Sequence, residues 1–354
     1  MDRILRVLVV DDSAYVRKVI RQMLGRSPFI EVVGAARDGE EALTLVRELH
    51  PDVVTLDLIM PGMGGLGFIK EQMSRAPMPI IVVSIANETS QLVLDALDSG
   101  AIDFVQKPSA LATEKVFEMS DDLIEKVKAA GNVRLTAMKD APVKAAVKSQ
   151  SRSRPKSTST DIIVIGISTG GPQALKYLVP RLPRDFPLPI AIVLHMPVGY
   201  TELYAKRLNE LSELEVSEAQ EGDEVRNGRV LIAPAGRHLT FVRTDSKVIT
   251  HLDARPFDML HRPSVDVLFR SAADTFGRGV LGVVMTGMGE DGKDGSSWIK
   301  SKGGMVFAEA EESCVVFGMP RAVIEAGLVN RTIPLERMSD ALLEAAYGES
   351  TDRR

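Results

Sequence analysis

Two stretches in the second half of the chain carry side chains suited to nucleophilic catalysis. Ser168 directly follows the apolar run 162–167 and precedes Gly-Gly-Pro172, where proline favours the start of a helix. His195 directly follows the next apolar run, 190–194. A histidine at a strand end can take a proton from a serine hydroxyl, so the pair suggests acyl transfer.

The third member of such a set is a carboxylate that orients the histidine, and two adjacent acids are available. The apolar run 280–285 leads into Thr-Gly-Met-Gly-Glu290-Asp291-Gly. We predict that Asp291 orients His195 and keep Glu290 as the alternative. The glycine turn after Ser168 would suit a phosphate as well as an oxyanion, so that motif alone is ambiguous. Its G-x-x-x-G-G spacing, with His195 where a ribose-binding acid is needed, disfavours a dinucleotide site.

A second group of reactive side chains occupies the first third of the chain. Asp11 and Asp12 follow the first apolar run, Asp57 ends the third, Ser84 ends the fourth, and Lys107 follows the fifth. The carboxyl ends of parallel strands meet at one edge of a sheet, so these carboxylates should crowd together and require a cation such as Mg²⁺. Beside that ion, Asp57 could accept a phosphoryl group, with Lys107 balancing its charge and Ser84 donating a hydrogen bond.

Both groups of residues require strands that end at a common edge, and the apolar pattern predicts such strands. In the first domain the predicted strands are 7–10, 30–35, 53–56, 80–83 and 104–105, and in the second they are 162–167, 190–194 and 280–285. Amphipathic stretches between them predict helices, which makes both domains α/β and doubly wound, the first of the flavodoxin type. Short runs at 230–233, 239–242 and 248–250 predict additional β-strands in the second domain.

The chain divides at a segment unlike the rest. Its 354 residues exceed one ordinary core, so two domains are expected. Residues 131–160 are rich in Ser, Ala, Thr and basic side chains, with few large apolar residues. Such a composition predicts a flexible basic linker. We therefore predict domains at 1–130 and 161–348, joined by residues 131–160.

Composition narrows the class of protein. The net charge of -5 disfavours a general nucleic-acid binder. Cys314 is the single cysteine, lies in an apolar run and is predicted to be a core thiol; no internal disulfide can form. No apolar run approaches the ~20 residues that a membrane span needs, and the N-terminus does not read as a signal peptide. We expect a cytoplasmic monomer that does not insert into membranes.

The first 125 residues resemble the receiver domains of response regulators. The resemblance rests on Val-Leu-Val-Val-Asp11-Asp12-Ser, on Leu-Asp57-Leu-Ile-Met-Pro-Gly and on Phe104-Val-Gln-Lys107-Pro. It implies that Asp57 is the phosphoacceptor, that Asp11, Asp12 and Asp57 hold Mg²⁺, and that Ser84 and Phe104 form a switch pair. The switch residues then include Lys107.

Two positions depart from the receiver pattern. Gly64 stands where the family often has Asp, and Ile59 stands where related proteins often carry a polar side chain. Neither removes the chemistry of Asp57, but both positions bear on the lifetime of its phosphoryl group.

Taken over residues 5–345, the chain resembles the CheB family of chemotaxis protein-glutamate methylesterases. The resemblance rests on the Ser168 and Asp291 stretches quoted above, on His195-Met-Pro, on Arg262-Pro-Ser-Val-Asp and on Cys314-Val-Val-Phe-Gly-Met-Pro. It implies a triad of Ser168, His195 and Asp291, with Thr169 beside the nucleophile and the Met288 backbone N–H near the oxyanion.

The same resemblance implies substrates and partners. The family hydrolyses γ-glutamyl methyl esters on the cytoplasmic helices of chemoreceptors, and many members deamidate receptor glutamines. The chemotaxis histidine kinase is the implied phosphodonor, and ester hydrolysis needs no cofactor. Two other functional classes compete with this one: a binding module without catalysis, and a DNA-binding regulator, which the net negative charge of the second domain disfavours. We expect the unphosphorylated receiver to restrain the esterase.

Overall fold

The chain forms two compact units, Met1–Lys139 and Asp140–Arg354. The computed structural model describes residues 3–85, 90–107, 115–131, 133 and 160–348. Nearly all of the predicted linker, and the proline after Lys107, lie outside the described residues. Within the described residues, no helix is long and apolar enough to cross a membrane.

The described part of the N-terminal unit alternates strands and helices. Its elements are β1 (Leu5–Val10), α1 (Ala14–Leu24), β2 (Ile30–Ala36), α2 (Gly39–Leu49), β3 (Val53–Leu56), α3 (Gly64–Arg75), β4 (Ile80–Ile85), α4 (Ser90–Asp98), β5 (Asp103–Lys107) and α5 (Lys115–Ala130). The strands form a parallel sheet in the order β2-β1-β3-β4-β5. This confirms the predicted flavodoxin-type fold, in which the central strands are buried on both faces.

The C-terminal unit is larger and has more β-structure. Its elements are β6 (Ile162–Ile167), α6 (Gly171–Leu178), β7 (Ile190–Leu194), α7 (Thr201–Leu211), β8 (Glu215–Glu218), β9 (Arg229–Ile232), β10 (His238–Arg243), β11 (Val248–Asp253), α8 (Val265–Phe276), β12 (Val280–Val284), α9 (Lys293–Ser301), β13 (Met305–Glu309), α10 (Met319–Glu325), β14 (Arg331–Ile333) and α11 (Leu335–Tyr347). Two short 3₁₀ helices are also present: Val179–Arg181 follows α6, and Gly277–Gly279 lies between α8 and β12.

Seven described strands of this unit form a parallel sheet in the order β14-β13-β12-β6-β7-β9-β8. Because β6 lies between β12 and β7, the loops after these three strands meet at one edge, where α/β proteins bind ligands. The pair β10 and β11 forms a separate antiparallel hairpin, whose apolar face packs against α8 in the main core. The sequence pattern did not single out β8, β13 or β14.

Candidate functional site

Ser168 lies at the end of β6 in a tight turn. Its backbone N–H donates to Thr286 O at 3.0 Å, and its carbonyl accepts from Gly171 N at 2.7 Å. Gly170 has φ of 78°, and a Cβ there would lie 2.5 Å from the Cβ of Val315, so only glycine fits. Helix α6 begins at Gly171, as predicted from the proline that follows it. The turn leaves Ser168 partly exposed at the edge of the sheet.

The loop after β12 packs directly against Ser168. A Cβ on Gly287 would lie 2.8 Å from Ser168 Cβ, so this close approach also requires glycine. Thr286 joins the two loops, since its hydroxyl donates to Thr169 O at 2.9 Å and accepts from Val316 N at 2.9 Å. Thr169 is buried beside it. Met288 comes next in the loop, so its backbone N–H belongs to the segment nearest the serine.

Thr286 is in turn held by a buried carboxyl group at the end of β13. Glu309 accepts from Thr286 N at 2.9 Å and from the Ser313 hydroxyl at 3.0 Å. Burial raises the pKa of Glu309 to about 7, with a further contribution from the negative charge of Glu336. The sequence pattern did not single out Glu309, although an acid at the end of an apolar strand is a local signal for such a group.

His195 and Asp291 are joined by a hydrogen bond between His195 Nε2 and Asp291 Oδ2, 2.9 Å apart. Their side chains are 9% and 8% exposed. The alternative acid, Glu290, is 72% exposed and pairs with Lys293 instead. Of the two acids that the sequence left open, the structure therefore brings Asp291 to the histidine.

Asp291 also lies at the N-terminus of α8, where backbone N–H groups have no partner within the helix. Its carboxylate accepts from Val265 N at 2.8 Å, Asp266 N at 2.9 Å and the Ser264 hydroxyl at 2.9 Å. Burial alone would raise the pKa of Asp291, but the hydrogen bonds from His195 and these backbone groups lower it well below its usual value. The group is therefore ionised at neutral pH.

This arrangement determines which nitrogen of His195 is free for catalysis. Because an ionised carboxylate can only accept, Nε2 must carry the proton that it donates to Asp291. Nδ1 is then the basic nitrogen, and among the described residues it is buried without a hydrogen-bond partner. Ile167 pairs with Leu194 in the sheet, so Ser168 and His195 follow at the same level of neighbouring strands. Ser168 is not hydrogen-bonded to His195 in this structure, a contact that often tightens only when substrate binds.

Two further histidines support the pair, and sequence reasoning gave neither a role. The ring of His261 stacks on His195, with centroids 4.1 Å apart. His238 is fully buried, and its Nδ1 accepts from Ser264 N at 3.1 Å, so it supports the serine that holds Asp291. Burial lowers the pKa of His238, which keeps it neutral for this contact. From the sequence, the position of His261 before Arg262-Pro-Ser-Val-Asp indicates only that it could line a cleft.

The acidic cluster of the N-terminal unit has a different geometry. Oxygens of Asp11, Asp12 and Asp57 lie within 4.8 Å of one another. Lys107 Nζ lies 2.7 Å from Asp11 Oδ2 and 2.9 Å from Asp57 Oδ2, so it bridges the two buried acids. Burial raises the pKa of Asp11; the ammonium of Lys107 opposes this rise and the charge of Asp57 adds to it.

The cluster fits a divalent cation. Three carboxylates and one ammonium leave a charge of minus two, and carboxylate oxygens at this separation are the ligands that Mg²⁺ prefers. Ser84 is buried at the end of β4, next to β5, where Phe104 is also buried. Strand pairing places Ser84 opposite Gln106, near the edge that carries the acids, whereas Phe104 pairs with Val82, two residues further from that edge. Ile59, by contrast, is 53% exposed beside Asp57, and its backbone N–H donates to Asp57 Oδ1 at 3.5 Å.

Comparison with known proteins identifies the family. Residues 163–342 match the family model described as CheB methylesterase, and residues 7–116 match the response regulator receiver domain. The protein-glutamate methylesterase/protein-glutamine glutaminase 5 of Myxococcus xanthus (strain DK1622) is 50% identical over 337 residues, covering 94% of this chain and 96% of the relative. The chain belongs to the CheB methylesterase family.

A further relative matches nearly the whole chain, and a solved structure matches its C-terminal unit. A protein-glutamate methylesterase/protein-glutamine glutaminase of Halalkalibacterium halodurans is 46% identical and covers 97% of this chain and 99% of the relative. The crystal structure of the Thermotoga maritima CheB methylesterase catalytic domain is 44% identical, with a TM-score of 0.51. It covers 52% of this chain and 98% of that domain. Cys314 of this CheB-family chain is buried and free, as predicted, and burial raises the pKa of its thiol.

Proposed function

We propose that this protein hydrolyses γ-glutamyl methyl esters on the cytoplasmic helices of chemoreceptors, and deamidates receptor glutamines, with Ser168, His195 and Asp291 as its triad. The observation that carries the proposal is the buried hydrogen bond between His195 and an Asp291 that remains ionised. That pair sits beside a serine in a glycine turn at the edge of the sheet. The names of the relatives supply the substrate class.

The chemistry follows from the roles that the geometry allows. Ser168 Oγ attacks the ester carbonyl carbon and passes its proton to His195 Nδ1. Asp291 stabilises the resulting imidazolium, and backbone N–H groups near Met288 and Thr169 face the developing oxyanion. The tetrahedral intermediate collapses as His195 protonates the leaving methanol. Water then attacks the acyl-enzyme by the same route and releases glutamate; a glutamine substrate differs in releasing ammonia.

We further propose that phosphorylation of Asp57 by a histidine kinase controls this activity. Asp11, Asp12 and Asp57 would hold Mg²⁺, which neutralises charge on the incoming phosphoryl group when it is bound. Lys107 balances the same charge, and Ser84 and Phe104 respond to it as a switch pair. The proposed division is a receiver at 1–130, a linker at 131–160 and a catalytic domain at 161–348, acting as a cytoplasmic monomer.

Methanol release from methylated chemoreceptor membranes tests the proposal. We expect the wild type to release methanol, faster with a small phosphodonor such as acetyl phosphate. Ser168→Ala should reduce release by about 10³-fold or more while Asp57 is still phosphorylated, because triad losses far exceed binding effects. Near-normal turnover by Ser168→Ala would refute the nucleophile assignment.

A further inference from the structure

Three large apolar side chains near the candidate active site are highly exposed to solvent. Val198, Phe257 and Leu260 are 64%, 68% and 90% exposed, the three highest fractions among the exposed large apolar side chains of the described residues. Single exposed apolar residues are ordinary, but a group of them at one place marks an interaction surface. We call these three residues the apolar rim.

Two members of the rim lie close in the chain to the stacked histidines of the candidate site. Val198 lies three residues after His195 in the same loop. Leu260 precedes His261, whose ring stacks on His195. Leu260 also lines a cavity of about 220 Å³ together with Asp291. Val198 and Leu260 therefore lie in the two segments that carry His195 and His261, the stacked pair of the candidate site.

Phe257 is held in its exposed position. The guanidinium of Arg262 lies 5.2 Å from the centre of its ring, and Arg262 Nη2 donates to Phe257 O at 3.2 Å. Arg262 O in turn accepts from Gly236 N at 2.9 Å, and a Cβ on Gly236 would lie 3.3 Å from Val198. Two members of the rim are thus linked through one short chain of contacts. A surface ordered before binding loses less entropy when a partner docks.

The shape of the site determines what must touch the rim. His195 and Asp291 are more than nine-tenths buried, and an α-helix is about 10–12 Å wide, so a helix cannot descend to them. The ester carbon of a glutamyl methyl ester lies only three bonds from its Cα atom. The helix that carries the ester must therefore lie directly across the mouth of the site.

We propose that the apolar rim is the docking surface for the substrate helix, which it contacts through apolar side chains one turn from the modified residue. On a helix, residues three and four positions from the ester lie on its face and would reach the rim. This inference rests on the proposed function and adds the surface by which a protein substrate is distinguished from a small ester.

The test compares two substrates in the full-length protein. The double variant Val198→Ser/Phe257→Ser should raise KM for methylated chemoreceptor membranes by about tenfold or more, because two apolar side chains lose their burial in the complex. Its kcat/KM for p-nitrophenyl acetate should stay within about twofold of the wild type. Leu211→Ser is the matched control, since Leu211 is also exposed but lies at the far end of α7.

Each alternative gives a different result. An unchanged receptor KM, or an equal rise for Leu211→Ser, would overturn the docking surface. A change of more than about twofold in kcat/KM for p-nitrophenyl acetate would also overturn it. So would a wild-type dimer that dissociates in the double variant, because the rim would then be a contact between two copies of the chain. A wild type that hydrolyses the small ester but releases no methanol from receptors would instead overturn the proposed function.

Discussion

The two units each bring a buried aspartate to the end of a parallel sheet, but they neutralise it differently. Asp57 shares its site with Asp11 and Asp12, and a single lysine leaves the group short of positive charge. The negative charge of Asp291 is stabilised by hydrogen bonds from helix N–H groups, a hydroxyl and a histidine. The first arrangement favours capture of a cation and a phosphoryl group. The second favours a carboxylate that stays ionised and keeps its neighbour oriented.

The largest effect is expected when the charge of Asp291 is removed, and this change tests the contrast between the two aspartates. Asp291→Asn should lower methanol release by about 10⁴-fold, because the imidazolium of His195 loses its partner and the amide cannot accept all four hydrogen bonds. Glu290→Gln, on an exposed neighbour, should stay within about twofold. Rates on methylated receptor membranes measure both. A silent Asp291→Asn with a crippled Glu290→Gln would reverse the assignment.

The next largest effect concerns the carboxylate cluster of Asp11, Asp12 and Asp57. Asp57→Asn should abolish phosphorylation by acetyl phosphate and its stimulation of methanol release, and should leave the basal rate unchanged. Removal of Mg²⁺ with EDTA should act in the same way on the wild type, since the three carboxylates would hold that ion. Asp38→Asn, at the N-cap of α2, is the control and should respond normally. Stimulation that persists in Asp57→Asn would place the phosphoacceptor elsewhere.

A smaller effect tests whether the surroundings of Asp291 matter beyond its charge. Ser264→Ala removes one hydrogen bond to Asp291 and the N-cap of α8. We expect kcat to fall by up to about tenfold with little change in KM, and stability to fall by about 1 kcal/mol. Ser264→Thr, which keeps the hydroxyl, should restore both. A loss of stability without any change in kcat would show that Ser264 acts only as the N-cap of α8.

The smallest effect on activity, and a distinct effect on stability, is expected at Glu309. Its pKa is raised from 4.5 to about 7 in the folded protein, so its contribution to stability is complete below about pH 4.5 and is lost as pH rises through 7. That loss is on the order of 3 kcal/mol. Glu309→Gln should keep the contact to Thr286 without this dependence. Urea unfolding of the full chain at pH 5.5 and pH 8 measures the difference, and equal pH slopes for the two proteins would contradict it.

Much of this protein could be predicted from its sequence, because the signals are local. Apolar runs that end in Asp11, Asp57, Ser168 and His195 place those residues at strand ends, and parallel strands bring such ends together. The doubly wound fold of both units follows from the same alternation. The edge strands β8 and β14 were missed because they are short and partly exposed.

The tertiary structure decided what depends on residues distant in the chain. Glu290 and Asp291 are adjacent in sequence, yet only Asp291 meets the N-terminus of α8 and the ring of His195, 96 residues away. The stacking of His261 on His195 and the hydrogen bond from Thr286 N to Glu309 also join residues that are distant in the chain. The reason is physical: a carboxylate acquires its ionisation and its role from the donors around it, and folding brings those donors together.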